Sequence, residues 1–181
     1  MKILIASDIH GSAYYCKKLL DAYRAEGAEM LLLLGDVLYH GPRNDLPEEY
    51  APKTVIPMLN ALKNEIICVR GNCDTEVDQM VLPFPILSDY SYVLADGLTM
   101  LMTHGHKFSP ENPPPMAKDT IMLGGHTHVT KIVALDNGCC YFNPGSISIP
   151  KENNPKTYAV YENRRITVKT LDGEVFNETA F

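Results

Sequence analysis

The stretch MKILIASDIHG, residues 1–11, carries a short apolar run, Ile3-Leu4-Ile5-Ala6, that breaks at once into Ser7-Asp8-Ile9-His10-Gly11. A run this short between polar residues reads as a strand buried on both faces. The period then changes. Ser12 to Glu26 places Tyr15, Leu19, Leu20 and Tyr23 at helical spacing, with Ser12 as N-cap and Gly27 as stop. Met30 to Leu34 repeats the apolar run and closes on Gly35-Asp36. Residues 51 to 63 read as a second helix, entered near Pro52, and Ile66 to Val69 as a third strand closed by Arg70-Gly71-Asn72. Short apolar strands alternating with helices call for parallel pairing.

Beyond about residue 85 the pattern changes again. Tyr92 to Ala95 and Leu98 to Met102 flank Asp96-Gly97 as a hairpin. Thr120 to Leu123 is one more buried strand. Lys131 to Leu135 and Cys139 to Phe142, around Asp136-Asn137-Gly138, form a second hairpin; Thr157 to Tyr161 and Arg165 to Leu171 form a third. The expectation is a mixed sheet system, parallel half first and antiparallel half after, in one domain over residues 1–181. Lys107 to Asp119 holds four prolines and reads as a surface loop.

The 45% hydrophobic and 21% charged residues are ordinary for a globular chain. A net charge of -6 without a long basic run argues against bulk nucleic-acid binding or an anionic membrane, but leaves room for a small phosphorylated substrate at a local positive site. The first residues do not read as a signal peptide, and no segment nears the roughly 18 apolar residues of a membrane span. The five cysteines form no C-x-x-C pair and are odd in number, which suits reduced thiols in the cytoplasm.

Each strand ending carries donors of one chemical kind: Asp8 and His10, Asp36, Asn72, His104, then His126 and His128. Taken singly, each has a plain reading as a cap, a turn or a satisfied core histidine. Together they converge where open α/β sheets bind ligands, beyond the carboxyl ends of the strands. Carboxylate, amide and imidazole donors without thiolate suit Mn²⁺, Fe²⁺ or Zn²⁺. Seven such donors exceed the needs of one ion and suit two, roughly 3.5–4 Å apart, bridged by a carboxylate.

Asp8-Ile9-His10, Gly35-Asp36, Gly71-Asn72-Cys73-Asp74, His104 and Gly125-His126-Thr127-His128 together resemble the calcineurin-like metallophosphoesterase superfamily. Asn143-Pro144-Gly145-Ser146 extends the likeness to the small branch that contains bacterial YfcE-type phosphodiesterases and the retromer scaffold subunit, the YfcE type being the better match through residues 39–44. The resemblance implies an α/β fold, a four-layer α-β-β-α sandwich of two mixed sheets flanked by helices. It implies one metal on Asp8, His10, Asp36 and His128 and another on Asp36, Asn72, His104 and His126, with Mn²⁺ favoured over Fe²⁺, Zn²⁺ or Ni²⁺. The two-residue spacing of His126 and His128 is read as an extended segment. The implied reaction is phosphodiester hydrolysis by a hydroxide activated between the metals, with Asn72, Cys73, Asp74 and His104 as the catalytic set.

Cys73 departs from the pattern, standing where many relatives carry a histidine that protonates the leaving oxygen. A thiol of pKa about 8.5 replaces an imidazole near 6.5 poorly, so leaving groups that need little protonation are favoured and Asp74 is left to fix its loop. Cys73 is alternatively a small packed residue. His106 is read as a phosphate contact, a support for His104 or an exposed histidine; His40 and Arg43 as substrate contacts or surface groups; Lys107 and the proline loop as an entrance wall; Arg70 as a partner for an acid. A phosphomonoesterase or phosphoprotein phosphatase, or a non-catalytic scaffold, are the alternative functions. Scaffold relatives depart from the ligand set, whereas every ligand type is kept here. Apolar residues in loop 39–50 and the C-terminal hairpin offer a homo-oligomer interface.

Overall fold

The computed structural model describes residues 1–181, apart from the side chain of Asn137. Strand β1 (Ile3–Ala6) is buried along its whole length. Its residues alternate between two cores: Leu4 and Ala6 pack with the helices, Ile3 and Ile5 with a second sheet. A strand covered on both faces has no polar side to show, so its sequence is uniformly apolar.

The first sheet takes β1, β2 (Met30–Leu33) and β3 (Ile66–Cys68) as parallel neighbours in that order. β9 (Thr157–Glu162) pairs antiparallel with the free edge of β1, followed by β10 (Arg165–Thr170) and β11 (Val175–Ala180). The second sheet runs β4-β5-β6-β8-β7, from β4 (Tyr90–Ala95), β5 (Leu98–Thr103), β6 (Ile121–Leu123), β7 (Thr130–Ala134) and β8 (Cys140–Pro144). Helices α1 (Ala13–Glu26) and α2 (Pro52–Asn60) cover the first sheet through Cys16, Leu19, Val55 and Leu59. Between the sheets, Ile3, Ile5 and Leu32 meet Met100, Met102, Leu123 and Phe142. The layer against the second sheet is irregular chain: the carbonyl of Ala117 accepts from Thr120 Oγ1 and Cys139 Sγ.

Several local expectations change. The later half is not purely antiparallel: β5, β6 and β8 are parallel neighbours, and the first sheet is itself mixed. The cause is that β5 and β6 are joined by a long crossover, not a tight turn. α2 ends at Asn60, short of residue 63, with Pro57 inside it removing a backbone donor. The four-residue helix α3 (Glu76–Gln79) was not read from sequence, though Thr75 and Asp78 make a capping box. β11 was also missed, because its residues are almost all exposed and carry no alternation.

α1 begins and ends as its sequence dictates. Ser12 Oγ accepts from the Tyr15 N–H (3.2 Å) and donates to the Glu48 carbonyl (2.6 Å), while Gly27 stops the helix in the left-handed region at φ 64°. Ser12→Ala removes both bonds at a fully buried position. Its urea midpoint should fall by the equivalent of about 1–2 kcal/mol with an unchanged slope.

Candidate metal centre

The carboxyl ends of β1, β2 and β3 in one sheet and β5 and β6 in the other meet at a common edge. There the chain departs from regular geometry. Asp8, His10, Asp36, His126 and His128 all have positive φ, between 49° and 67°. Left-handed conformations at non-glycine residues cost free energy and gather at functional sites. The extended segment read for His126 and His128 is therefore corrected: they lie in a left-handed turn after β6, and no strand period sets their directions.

Neighbouring glycines let the loops close on one another. A Cβ on Gly71 would collide with Asp36 Oδ1 and the Asp36 N–H, and one on Gly125 with Ser7 Oγ.

Three imidazoles are oriented by backbone carbonyls. His10 Nδ1 donates to Tyr39 O (2.7 Å), His104 Nδ1 to Leu34 O (2.6 Å) and His128 Nδ1 to Ile149 O (2.6 Å). A carbonyl only accepts, so each ring carries its proton on Nδ1 and turns Nε2 inward. His128 Nε2 lies 3.2 Å and His10 Nε2 3.5 Å from Asp8 Oδ1, and the two Nε2 atoms are 3.3 Å apart. Asp36 Oδ2 stands 3.6 Å from His10 Nε2 and 3.4 Å from His104 Nε2, so it touches both halves of the cluster. Asn72 Oδ1 faces His104 Nε2 at 3.1 Å. His126 lies outside the tight donor groups, with its ring 5.1 Å from that of His104 and its N–H donating to Asp8 Oδ2.

This arrangement fits divalent ions. Asp8 Oδ1 is buried without a hydrogen-bond partner, and acceptors confront acceptors around it. The charge balance asks for cations too. Burial opposes ionisation of Asp8, yet the close His10 and His128 rings outweigh it and hold the carboxyl well below its usual range. Burial likewise opposes protonation of His104, but Asp36 and Asp8 raise its pKa to about 9. Cys73 Sγ lies within one compact donor group with His10 and Asp36, and burial and the Asp36 charge push its thiol up to about 12.

The supporting residues are as ordered as the donors. Ser146 Oγ and Ser148 Oγ both donate to the Asp8 carbonyl, at 3.0 and 2.7 Å. Asn143 Nδ2 donates to Gly125 O and Thr127 Oγ1, holding the turn that carries His126 and His128. These roles were missed from sequence, although the Asn143-Pro144-Gly145-Ser146 motif itself is visible there. A cavity of about 380 Å³ opens above the cluster, lined by Asp36, Arg43, Asn72, Cys73, His126 and Lys151 among others. Lys151 was not singled out from sequence.

Other expected site residues stand elsewhere. Asp74 faces away from the cavity: Oδ2 accepts from the Asp36 and Gly71 N–H groups and Oδ1 from Val37 N–H, at 2.7–2.9 Å. Its carboxylate is engaged as a loop clamp, the role expected for it where position 73 lacks an imidazole. His106 does not hold His104, whose two ring nitrogens face Leu34 and Asn72; it packs beside that ring at 5.4 Å and does not line the cavity. His40 stacks edge-on to Tyr39 and Tyr50 and is also outside the cavity. Lys107 pairs with Asp89 (2.7 Å), so neither it nor the proline loop walls the entrance. Arg70 pairs with Glu76 at 3.4 Å.

The calcineurin-like phosphoesterase superfamily domain model matches residues 1–165. The phosphodiesterase YfcE of Escherichia coli K12 is 46% identical over 175 residues, covering 96% of this chain and 94% of that protein. A solved structure of Yfce, described as a phosphoesterase from E. coli, superposes with a TM-score of 0.95 at 44% identity over 99% of both chains. A single mutant of Vps29 from Entamoeba histolytica superposes at 0.64 with 20% identity, covering 100% of this chain and 99% of that one, which is a likeness of fold alone.

The clamp role of Asp74 has a direct consequence. In Asp74→Asn an amide NH₂ replaces one acceptor, so a backbone N–H is left facing a donor. Stability should drop by about 1–3 kcal/mol in denaturant titrations run without metal. Unchanged stability with lost turnover would return Asp74 to the chemistry.

Proposed function

The chain belongs to the calcineurin-like phosphoesterase superfamily, and on that premise we propose that it is a metal-dependent phosphodiesterase acting on a small phosphodiester. The observation that carries the reading is the convergence of three imidazole Nε2 atoms, each fixed by a carbonyl on its Nδ1, upon the carboxylates of Asp8 and Asp36. Asp8, His10, Asp36 and His128 would hold one ion; Asp36, Asn72, His104 and His126 the other, with Asp36 shared. Two such ions supply Lewis acidity and an acidified water when bound.

The chain's own residues do the rest. The carbonyl locks keep the Nε2 lone pairs free and aimed, which preorganises the site before substrate arrives. Asn72 lies at the wall of the cavity, where it can meet both an ion and the phosphoryl group. Manganese suits this oxygen and nitrogen donor set, with iron, zinc and nickel as competitors decided by supply. All five cysteines are free, which supports a reducing, cytoplasmic setting. Among the described residues no helix is long and apolar enough to cross a membrane. Exposed Tyr39 and Leu46 in one loop and Val175 and Phe176 on edge strand β11 support assembly with further copies.

Diester ranks above monoester because Cys73 occupies the cavity wall at the position where the superfamily motif often has a protonating imidazole. Hydrolysis of bis(p-nitrophenyl) phosphate should therefore exceed that of p-nitrophenyl phosphate, vanish on chelation and return with Mn²⁺. Asn72→Ala should lower it by at least about 10-fold. No turnover with two ions bound per chain would remove the enzyme reading.

The missing imidazole gives a second outcome. Cys73→His restores a proton donor beside the leaving oxygen, so turnover of esters with poor leaving groups should rise by about 10-fold or more. An equal response across good and poor leaving groups, with metal content unchanged, would assign Cys73 to packing.

A further inference from the structure

The mouth of the cavity holds two cations beyond what a single phosphodiester requires. Arg43 stands on the loop after Asp36, and Lys151 just past the Asn143–Ser146 motif. Both are exposed, and among the described residues neither has an acidic partner within 4.0 Å. Most of the chain's other lysines and arginines are paired, as in Lys17–Asp21, Lys107–Asp89, Arg165–Glu178 and Lys169–Glu26. Asp45 and Glu152 are close in sequence but do not line the cavity, whose wall has Asp36 as its only carboxylate.

Both cations ride on backbone tied to the donor cluster. The Lys151 N–H donates to the carbonyl of His128 (3.1 Å), and His128 Nδ1 donates to the carbonyl of Ile149 (2.6 Å). The segment 149–151 is thus fastened to a donor residue at two points. On the other side, Tyr39 O accepts from His10 Nδ1 and His40 O from Asn44 Nδ2, which fixes the base of the loop bearing Arg43. Two long side chains with anchored roots reach into one cavity of about 380 Å³.

A diester phosphate carries one negative charge, and two divalent ions set against Asp8 and Asp36 already exceed it. The guanidinium of Arg43 offers a planar fork that matches phosphate oxygens, and the ammonium of Lys151 adds a mobile point charge. We propose that Arg43 and Lys151 form a second anion subsite, and that the substrate is a phosphodiester bearing a further phosphate close to the scissile one. This rests on the phosphodiesterase reading above and narrows its substrate class.

A matched pair of substrates tests it. Thymidine 5′-(p-nitrophenyl phosphate), with and without a 3′-phosphate, releases the same nitrophenolate from the same singly charged diester. With the Mn²⁺-loaded protein at low ionic strength, the 3′-phosphate should raise kcat/KM at least about fivefold, chiefly through KM. The ratio should shrink toward one as salt approaches about 0.5 M. In the double variant Arg43→Gln/Lys151→Gln it should fall to within about twofold of unity, while Lys151→Arg keeps it. A ratio near one in the unaltered protein, or one that survives in the double variant, overturns the subsite.

Calorimetric binding of thymidine 3′,5′-bisphosphate against thymidine 5′-monophosphate separates this idea from the reaction itself. Tighter binding of the bisphosphate, lost in the double variant, sustains the subsite even if neither ester is turned over; the phosphodiesterase reading alone would then fall. Equal affinities overturn the subsite whatever is hydrolysed.

Discussion

Two carboxylates buried at the ends of adjacent parallel strands set the terms for the rest of the molecule. Asp8 and Asp36 are 0% and 2% exposed. A buried, uncompensated charge costs several kcal/mol, so each must be answered locally. Part of the answer is backbone: Cys73 N–H donates to Asp36 Oδ1 (2.8 Å) and His126 N–H to Asp8 Oδ2 (3.1 Å). Part is Ser7 Oγ, which donates to Asp8 Oδ2 at 2.6 Å. The remaining oxygens face imidazole Nε2 atoms whose rings already spend their protons on carbonyls. Only added positive charge completes that balance, either as protons on the rings or as metal ions.

Bringing the carboxylates into range requires the loops after β1 and β2 to stay in register beyond the strands. The backbone does this by extending the ladder: Asp8 N–H donates to Gly35 O, His10 N–H to Asp36 O and Gly11 N–H to Val37 O. The left-handed turns of Asp8, His10 and Asp36 are held by these bonds and by Ser146 and Ser148 on the Asp8 carbonyl. Strained residues persist where surrounding contacts over-determine them. The second sheet therefore contributes more than its three histidine donors. The serines that follow its strand β8 keep the loop after β1 in place, while Asn143 holds the turn after β6.

Legibility in the sequence follows burial. β1 and α1 were readable because their residues meet strong, regular constraints: both faces buried in one case, capped ends and a 3.6 period in the other. α3 and β11 lie at the surface, where packing imposes no period, and the one local mark was the Thr75–Asp78 capping box of α3. The parallel run β5-β6-β8 was unreadable for another reason, since pairing direction depends on where a long crossover lands. Within the site, donor types at strand ends were visible as chemistry. The directions of His126 and His128 were not, because a left-handed turn breaks the period on which that inference stood. Lys151 was invisible for a related reason: a lysine after a turn carries no pattern until the fold places it at a cavity.

The pair Cys73-Asp74 shows how a motif can lose one member without the other losing its purpose. An acidic residue after a catalytic histidine invites the reading that it orients the imidazole. Here the carboxylate of Asp74 is fully occupied by the N–H groups of Asp36, Val37 and Gly71, with no dependence on the side chain at position 73. Cys73 contributes to the same loop through its own N–H, which any residue but proline supplies. The backbone of position 73 is therefore structural, while its side chain faces the cavity. The two functions are physically separable: the loop bonds made by Asp74 and by the N–H of position 73 stay the same whichever side chain stands there. What differs is the chemistry offered to the cavity, a thiol held mostly protonated by burial and the Asp36 charge in place of an imidazole.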